Sequence, residues 1–382
     1  MATDRAKKRW ITAGFFFLTG LITASWSSRI PDIQQKLGLG DAAWGTVLAA
    51  LPLGLVSGML VSSWLVERYG TKRVMLVSCI VCSLFLCLLG LAPSRALLMT
   101  VLYLVGLTRT ILNISMNTNS MEVQQLYERP IVSTFHGIWS LACFAALGVG
   151  QVMIILEVLP AQHLAIIAAI CITAAIVLTS QRPPSAPATA QRRPFLVRPD
   201  RYLWMLGVVA FCAMLAESAM FEWSVNYFEK EIKAERSYVT AGLSGFMITM
   251  SAGRLVGDRL IHRYGHLNML IANGLLMSTG FLLAASVPLL LPALLGFLLV
   301  GAGDSIIVPI AYTMAAKTKK MQASYAIACV SLIGSAGFVS GPLLMGTLSE
   351  VFGMQWAFGF VGTVAVLVTV IAVRLKNTAG KS

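Results

Sequence analysis

Charged residues are scarce in this chain of 382 residues, at 12%, whereas 57% of the residues are hydrophobic. Soluble domains contain about 25% charged and about 45–50% apolar residues. So much apolar surface exceeds what ordinary soluble cores could bury, which excludes a soluble enzyme. We expect an integral membrane protein whose solvent is the lipid bilayer.

Acidic residues are also few, 16 against 29 basic residues, and the formal net charge is +13. A basic balance can indicate nucleic-acid binding. Here, however, the basic residues lie in short gaps between apolar runs and form no continuous stripe. The sequence therefore predicts no nucleic-acid partner.

Metal-binding chemistry has little support in the sequence. The seven cysteines all lie inside apolar runs, which favours reduced thiols packed as small apolar side chains. Cys79 and Cys82 have the spacing of a zinc or redox pair, and His262 and His266 are four residues apart, but neither pair has further ligands nearby. An acid–base or metal motif such as H-E-x-x-H is also missing. We expect no metal, no cofactor and no enzymatic activity.

What the chain does contain is long apolar runs. A helix needs about 20 apolar residues to span a bilayer, and its backbone groups must be hydrogen-bonded within the segment. The sequence predicts an all-α integral membrane protein with twelve transmembrane helices, including an uncleaved first helix. The runs lie near residues 10–28, 42–66, 73–92, 96–121, 131–157, 161–180, 202–228, 237–261, 267–287, 289–315, 321–348 and 354–375.

The distribution of basic residues predicts the topology. Loops on the cytoplasmic side are enriched in lysine and arginine. With the N-terminus inside, 21 of the 29 basic residues fall on the cytoplasmic side, six fall on the other side, and Arg109 and Arg254 fall inside spans. We therefore predict that both termini are cytoplasmic.

The chain also repeats internally. Residues 181–201 are rich in proline and arginine, the composition of an unstructured tether, so we predict six-helix halves at residues 1–180 and 202–382 joined by a cytoplasmic linker. Arg68-Tyr69-Gly70 recurs 195 positions later as Arg263-Tyr264-Gly265, and Leu104-Val105-Gly106 recurs as Leu299-Val300-Gly301. Such duplication is typical of secondary transporters with a site near the bilayer midplane.

Residues 63–73 read S-W-L-V-E-R-Y-G-T-K-R. This segment resembles the loop between helices 2 and 3 of the major facilitator superfamily, written G-x-L-x-D-R-x-G-R-[KR]-[KR], with Ser63, Glu67 and Thr71 as departures. The resemblance implies a gating latch, and Gly70 would supply a turn with positive φ. Alternatively, the basic residues of the loop only enforce topology. The predicted gating residues are Glu67, Arg68, Gly70, Lys72 and Arg73, with Arg263 and Gly265 in the second copy.

Three further motifs resemble the YbjJ-like branch of bacterial inner-membrane proteins, which is distantly akin to fucose permeases. The motifs are residues 24–33 (A-S-W-S-S-R-I-P-D-I), Met116-Asn117 followed by Arg129-Pro130-Ile131 and His136-Gly137, and Ala216-Glu217 followed by Glu222-Trp223-Ser224. The resemblance implies a multi-pass transporter of the bacterial inner membrane.

Small residues recur at four-residue spacing in predicted helices 2, 8 and 11, and such residues let membrane helices approach closely. In the superfamily these helices line the seam between the halves, so the resemblance implies sliding surfaces; ordinary helix packing is the alternative. The residues concerned are Gly54, Gly58, Ser62, Gly253, Gly257, Gly337 and Gly341.

Charged side chains in the middle of a span are expensive, so each is a functional hypothesis. Arg109, Glu217 and Asp304 lie deep in predicted helices 4, 7 and 10, which line the central cavity in the superfamily. Arg109 and Asp304 are 195 residues apart, and we predict that they pair, directly or through the substrate, in one access state. The alternative is a static pair that only neutralises its own charges.

Glu217 is the first candidate for proton coupling, because burial in an apolar helix allows a carboxylate to load and release a proton. Glu222 is the second candidate. The alternative for Glu217 is a hydrogen-bonded structural carboxylate.

Predicted helix 4 presents a polar stripe of Arg109, Asn113 and Asn117 that can donate hydrogen bonds to a solute. Aromatic residues near helix ends either stack on a solute or anchor the helix at the membrane interface. His136 either titrates near neutral pH or only forms a hydrogen bond to a neighbouring helix. The remaining candidate substrate-binding residues are Trp26, His136, Trp223, Tyr227 and Asp304.

Together these features predict a monomeric, proton-coupled secondary transporter that moves a small polar or anionic solute across the bilayer by alternating access. Proton-driven efflux of amphiphilic compounds and a non-transporting membrane receptor remain open as alternatives.

Overall fold

The structure is a computed structural model that describes residues 2–128, 131–180, 199–318 and 321–379. The described residues contain twelve helices long and apolar enough to cross a membrane, as predicted. They are α1 (Arg5–Ser28), α2 (Asp41–Tyr69), α3 (Thr71–Leu91), α4 (Arg95–Gln124), α5 (Thr134–Ile155), α6 (Pro160–Ser180), α7 (Arg201–Glu231), α8 (Arg236–Tyr264), α9 (His266–Ser286), α10 (Leu290–Ala316), α11 (Tyr325–Phe352) and α12 (Met354–Thr378).

The chain divides into two compact units. The first comprises Met1–Leu39 and Val47–Arg192, and the second comprises Gly40–Thr46 and Arg193–Ser382. Residues 40–46 belong to the second unit, where Lys230 Nζ donates to Asp41 Oδ1 over 2.8 Å and the Ala42 amide donates to Glu350 Oε2 over 3.2 Å. The predicted linker lies outside the described residues from 181 to 198, as do Arg129 and Pro130 of one branch motif.

The same helix pairings occur in both units. In the first unit α2 packs on α4, α1 on α5, and α3 on both α4 and α6. In the second unit α8 packs on α10, α7 on α11, and α9 on both α10 and α12. The sequence repeat of 195 residues therefore corresponds to a repeat of helix packing.

Two glycines form the turns between consecutive helices. Gly70 lies between α2 and α3 with φ of 78°, and Gly265 lies between α8 and α9 with φ of 82°. These values lie in the left-handed region, where a Cβ atom is unfavourable. The predicted positive φ of Gly70 is confirmed, and its repeat partner adopts the same conformation.

The recurring glycines serve close packing inside each unit. A Cβ atom at Gly106 of α4 would overlap the carbonyl oxygen of Leu51 in α2, and one at Gly301 of α10 would overlap that of Phe246 in α8. Likewise, Gly54 faces the carbonyl of Tyr103. Ordinary helix packing accounts for these contacts, so the structure favours that alternative over sliding surfaces. The same holds for Gly58, Gly253, Gly257, Gly337 and Gly341.

We predict that Gly106→Ala destabilises the protein. The added methyl group would push α2 away from α4, and overpacking of this kind costs about 1–3 kcal/mol. The measurement is the melting temperature of the purified protein in detergent. Gly148→Ala in α5 is the matched control, because a Cβ atom there meets nothing within 4 Å. Equal shifts in the two variants would contradict a role for Gly106 in close helix approach.

Arg29, from the first branch motif, ties α1 to α6. Its side chain is almost fully buried, and its Nε donates to His163 Nδ1 over 3.0 Å. The two remaining nitrogens donate to Asp32 Oδ2 over 2.7 Å and to the Val158 carbonyl over 2.9 Å. Arg29 therefore fixes the end of α1 against the segment that leads into α6.

Replacing Arg29 with glutamine should lower the melting temperature markedly. Each buried polar group that loses its partner costs roughly 1–3 kcal/mol, and both His163 and Val158 would lose one. Arg201→Gln, at an exposed position, is the control. A shift no larger than that of Arg201→Gln would show that the buried network adds nothing to stability.

Candidate functional site

Helix α10 is interrupted beside Asp304. Its first segment, Leu290–Asp304, is separated from Ile307–Ala316 by a turn at Ser305 and Ile306. Pro309 explains the break, because proline has no N–H to donate to the carbonyl of Ser305, four residues earlier. Discontinuous helices of this kind often form the binding sites of membrane transporters.

Asp304 is buried at this break without a hydrogen bond. Asp304 is 3% exposed, and neither of its carboxylate oxygens has a hydrogen-bond partner in the described part of the chain. Gly303 packs against the backbone of Asn273 and Met277 in α9, which brings this part of α10 close to α9. Burial without a hydrogen bond makes a full negative charge on Asp304 costly.

Glu217 and Arg254 form an ion pair in the same unit. Arg254 Nη2 of α8 lies 3.1 Å from Glu217 Oε1 of α7, and the two side chains are 31% and 24% exposed. Asp304 interacts electrostatically with both residues. The two carboxylates repel one another, and Arg254 attracts both. We call Glu217, Arg254 and Asp304 the charged triad.

Glu217 and Asp304 are predicted site residues because of their depth in the spans, whereas Arg254 is not among the predicted site residues. The depth argument applies equally to Arg254, since it lies inside α8. The ion pair itself joins residues 37 positions apart on different helices, a separation that corresponds to no helical spacing.

Glu222, the second candidate for proton coupling, has a local partner. Ser218, one turn earlier on α7, donates from Oγ to Glu222 Oε2 over 3.0 Å, and Glu222 is 6% exposed. This bond compensates part of the cost of burying the carboxylate. Glu222 therefore lies in a better satisfied environment than Asp304.

The polar stripe on α4 belongs to the first unit. Asn113 is exposed, Arg109 and Asn117 are half-buried, and Asn117 Nδ2 donates to the Asn113 carbonyl over 2.9 Å. The structure thus brings the two amides of the stripe together. Pairing of Arg109 with Asp304 would join the two units and stays a prediction.

The candidate aromatic residues have different surroundings. Trp26 and Trp223 are buried, and the Trp223 Nε1 has no hydrogen-bond partner among the described residues. Tyr227 donates its hydroxyl to the Ala284 carbonyl over 2.5 Å, and its ring lies 4.7 Å from that of Phe358. The hydroxyl group and the ring of Tyr227 therefore both contact other groups of the protein, which favours a packing role over stacking on a solute.

His136 on α5 is exposed, and its ring lies nearly perpendicular to that of Phe16 at a centroid distance of 5.2 Å. This contact links α5 to α1 within the first unit. It is compatible with the structural role considered for His136, and solute binding by this residue stays a prediction.

The predicted gating loop is held by local contacts. The Arg68 guanidinium lies 6.0 Å from the Trp64 ring centroid and 5.8 Å from that of Tyr69, and Arg263 lies 5.4 Å from Tyr264 in the second copy. Residue 71 is an arginine in the family pattern and a threonine here. Thr71 Oγ1 donates to Glu122 Oε1, at the end of α4, over 2.9 Å. Glu67 and Arg73 are exposed, Lys72 is half-buried, and their role in a latch stays a prediction.

The described residues form twelve apolar helices in two units with the same helix packing, and a charged triad includes the buried carboxylate at the break in α10. These features are those of a polytopic membrane transporter. The family model of the Major Facilitator Superfamily matches residues 11–317 and 206–381. The chain belongs to this superfamily. It is therefore a multi-pass secondary transporter rather than an enzyme.

Two bacterial relatives match nearly the whole chain. An MFS-type transporter of Yersinia pestis is 29% identical over 358 residues, which cover 94% of this chain and 92% of the relative. The transporter y4wD of Sinorhizobium fredii is 28% identical over 371 residues, which cover 97% of this chain and 98% of the relative.

Solved structures share the fold at low sequence identity. The nucleoside transporter NupG superposes with a TM-score of 0.76 at 13% identity, covering 95% of this chain and 99% of its own. The fucose:proton symporter FucP of Escherichia coli superposes with a TM-score of 0.62 at 17% identity, covering 95% and 97%.

Proposed function

We propose that this secondary transporter is a proton-coupled symporter that moves a small polar or anionic solute by alternating access. The observation that carries the proposal is the buried carboxylate of Asp304, which has no hydrogen-bond partner among the described residues and interacts electrostatically with both members of the Glu217–Arg254 ion pair. A buried carboxylate with this environment is suited to bind and release a proton during the cycle.

The charged triad provides a physical basis for coupling. When Asp304 carries a proton, the triad holds one negative and one positive charge, and Arg254 pairs with Glu217. When Asp304 releases the proton, two carboxylates compete for one guanidinium, and one negative charge is left uncompensated. Because Glu217, Arg254 and Asp304 lie on three helices, protonation changes the forces among α7, α8 and α10. In this proposal Asp304 carries the proton, and Glu217, the first candidate from the sequence, acts as the alternative partner of Arg254.

The polar stripe supports the solute class. Arg109 offers a guanidinium that binds a carboxylate or phosphate through two hydrogen bonds, and Asn113 and Asn117 offer amides that bind hydroxyl and carbonyl groups. Trp26 and Trp223 are the aromatic candidates for stacking on the solute. NupG carries nucleosides and FucP carries fucose with protons, so polar solutes are transported by proteins of this fold.

We further propose that the protein is a monomer in the bacterial inner membrane with both termini in the cytoplasm. The excess of basic residues in the loops assigned to that side supports this orientation. The loop around Gly70, with Glu67, Arg68, Lys72 and Arg73, would then lie at the cytoplasmic surface.

The test has two stages. Purified protein is first screened by thermal shift against nucleosides, sugars, carboxylates and amphiphilic drugs, because a ligand of the folded state raises its apparent stability. A stabilising solute is then supplied to proteoliposomes with an imposed pH gradient, while uptake and internal pH are recorded. Solute accumulation with simultaneous proton entry supports the proposal. Accumulation that does not depend on the gradient contradicts coupling, and a response to amphiphiles alone would favour efflux.

A further inference from the structure

A narrow groove opens between α2 and α3 near the turn at Gly70. Its volume is about 380 Å³, and its lining residues come from α2, α3 and α4. Helix α4 packs extensively against both α2 and α3, whereas α2 and α3 have little contact with one another. Thr108 and Ile111 of α4 therefore form the floor of a groove whose two walls are α2 and α3.

The groove faces outward from the helices of the first unit. Val77 in its wall is 58% exposed, and Leu84 and Leu91 further along α3 are 51% and 55% exposed. Exposed aliphatic side chains along a spanning helix are suited to contact with lipid tails, which are equally apolar. The groove is therefore suited to an acyl chain of the bilayer.

Apart from Tyr69 and Arg73, the lining offers almost no hydrogen-bonding capacity. Ser78 donates its hydroxyl to the Val74 carbonyl over 2.5 Å, and Thr108 donates to the Leu104 carbonyl over 2.7 Å. Both hydroxyl protons are therefore used within their own helices. A polar solute entering the groove would lose hydrogen bonds to water without compensation, whereas a hydrocarbon chain has no hydrogen bonds to lose.

One end of the groove carries positive charge. Arg73 lines it and is exposed. Arg68 and Lys72 lie on the same turn, as does one exposed acidic residue, Glu67, and the described residues that line the groove include no acidic residue. Basic residues beside an apolar channel between spanning helices complement the phosphate of an anionic lipid and its acyl chain.

We propose that the groove is a binding site for an anionic phospholipid. One acyl chain lies between α2 and α3 along Val74, Val77 and Val81, and the phosphate is held by Arg73. This site is distinct from the charged triad in the second unit, and the proposal does not depend on which solute is transported.

The experiment is native mass spectrometry of the purified full-length protein in detergent. The protein is titrated with dioleoylphosphatidylglycerol and, separately, with zwitterionic dioleoylphosphatidylcholine. Arg73→Gln removes the charge, and Val77→Trp fills the groove with an indole ring. Val177→Trp on α6 is the matched control, because Val177 is similarly exposed, at 54%, but lies outside the groove. All three positions lie at the surface, so the substitutions leave the packed interior intact, which melting curves would check.

Wild-type protein should bind phosphatidylglycerol more tightly than phosphatidylcholine. Arg73→Gln should weaken phosphatidylglycerol binding about fivefold, the contribution of one basic residue near an anionic lipid. Phosphatidylcholine binding should weaken less, because the choline ammonium group already compensates the charge of that lipid's phosphate. Val77→Trp should weaken binding of phosphatidylglycerol, and Val177→Trp should not. Unchanged phosphatidylglycerol affinity in Val77→Trp would overturn the assignment of the groove. Equal affinity of the wild-type protein for the two lipids would overturn the role of charge.

Discussion

Replacing Asp304 with asparagine should abolish solute accumulation driven by a pH gradient and preserve solute exchange across the membrane. Asparagine is nearly isosteric with protonated aspartic acid and carries no titratable proton, so the triad would keep the charge of its loaded form. Accumulation should fall by at least about tenfold, equivalent to about 1.4 kcal/mol of lost coupling. The measurement compares uphill uptake with counterflow in proteoliposomes.

Asp258→Asn on α8 is the matched control for Asp304→Asn. Asp258 is exposed and lies outside the triad, so its replacement should leave both uphill uptake and counterflow intact. If Asp304→Asn accumulates solute as well as the wild-type protein, the proton is carried elsewhere, and Glu217→Gln and Glu222→Gln become the variants to compare. Loss of counterflow together with uphill uptake would instead assign Asp304 to solute binding.

The twelve helices could be predicted from the sequence because lipid imposes a strong constraint. A span must be long and apolar over its full length, so its limits are visible in composition alone. The predicted first run began at residue 10 and the helix extends back to Arg5, whereas the run predicted at residues 73–92 corresponds to Thr71–Leu91. Differences of a few residues arise where a helix continues beyond the apolar segment that revealed it.

The internal repeat predicted local backbone geometry and close helix contacts. Gly70 and Gly265 share a left-handed backbone conformation, and Gly106 and Gly301 share a close helix contact, each at the offset of 195 residues. These features depend on short-range backbone constraints that duplication preserves. The repeat also suggests Arg109 as a partner of Asp304, and this pairing stays a prediction; within the second unit, Asp304 interacts electrostatically with Arg254.

Contacts between helices explain what the sequence could not predict. The triad brings together α7, α8 and α10 through helix packing, and no fixed spacing in the sequence encodes that neighbourhood. Likewise, Tyr227 resembles an interfacial or solute-stacking residue in the sequence. Its aromatic neighbours in the structure, Phe297 and Phe358, are contributed by helices far away in the chain.

Replacing Arg254 with glutamine should abolish uphill accumulation and lower stability. Glu217 would lose its ion-pair partner, and the unfavourable interaction between Glu217 and Asp304 would no longer be offset. After allowance for the partial exposure of Arg254 and Glu217, we expect a loss of about 1–3 kcal/mol. Arg259→Gln, exposed on the same helix, is the control and should leave both transport and melting temperature unchanged.

A double variant separates the triad from a simple Glu217–Arg254 pair. If Arg254 also compensates Asp304, then Asp304→Asn removes one of the carboxylates that the loss of Arg254 leaves uncompensated. The Arg254→Gln and Asp304→Asn double variant should therefore melt at a higher temperature than Arg254→Gln alone, since residues in one network have non-additive effects. Additive changes in melting temperature would mean that Asp304 is energetically independent of Arg254. Protonation of Asp304 could then not redirect the guanidinium, and the proposed coupling through the triad would be wrong even if Asp304 itself carries the proton.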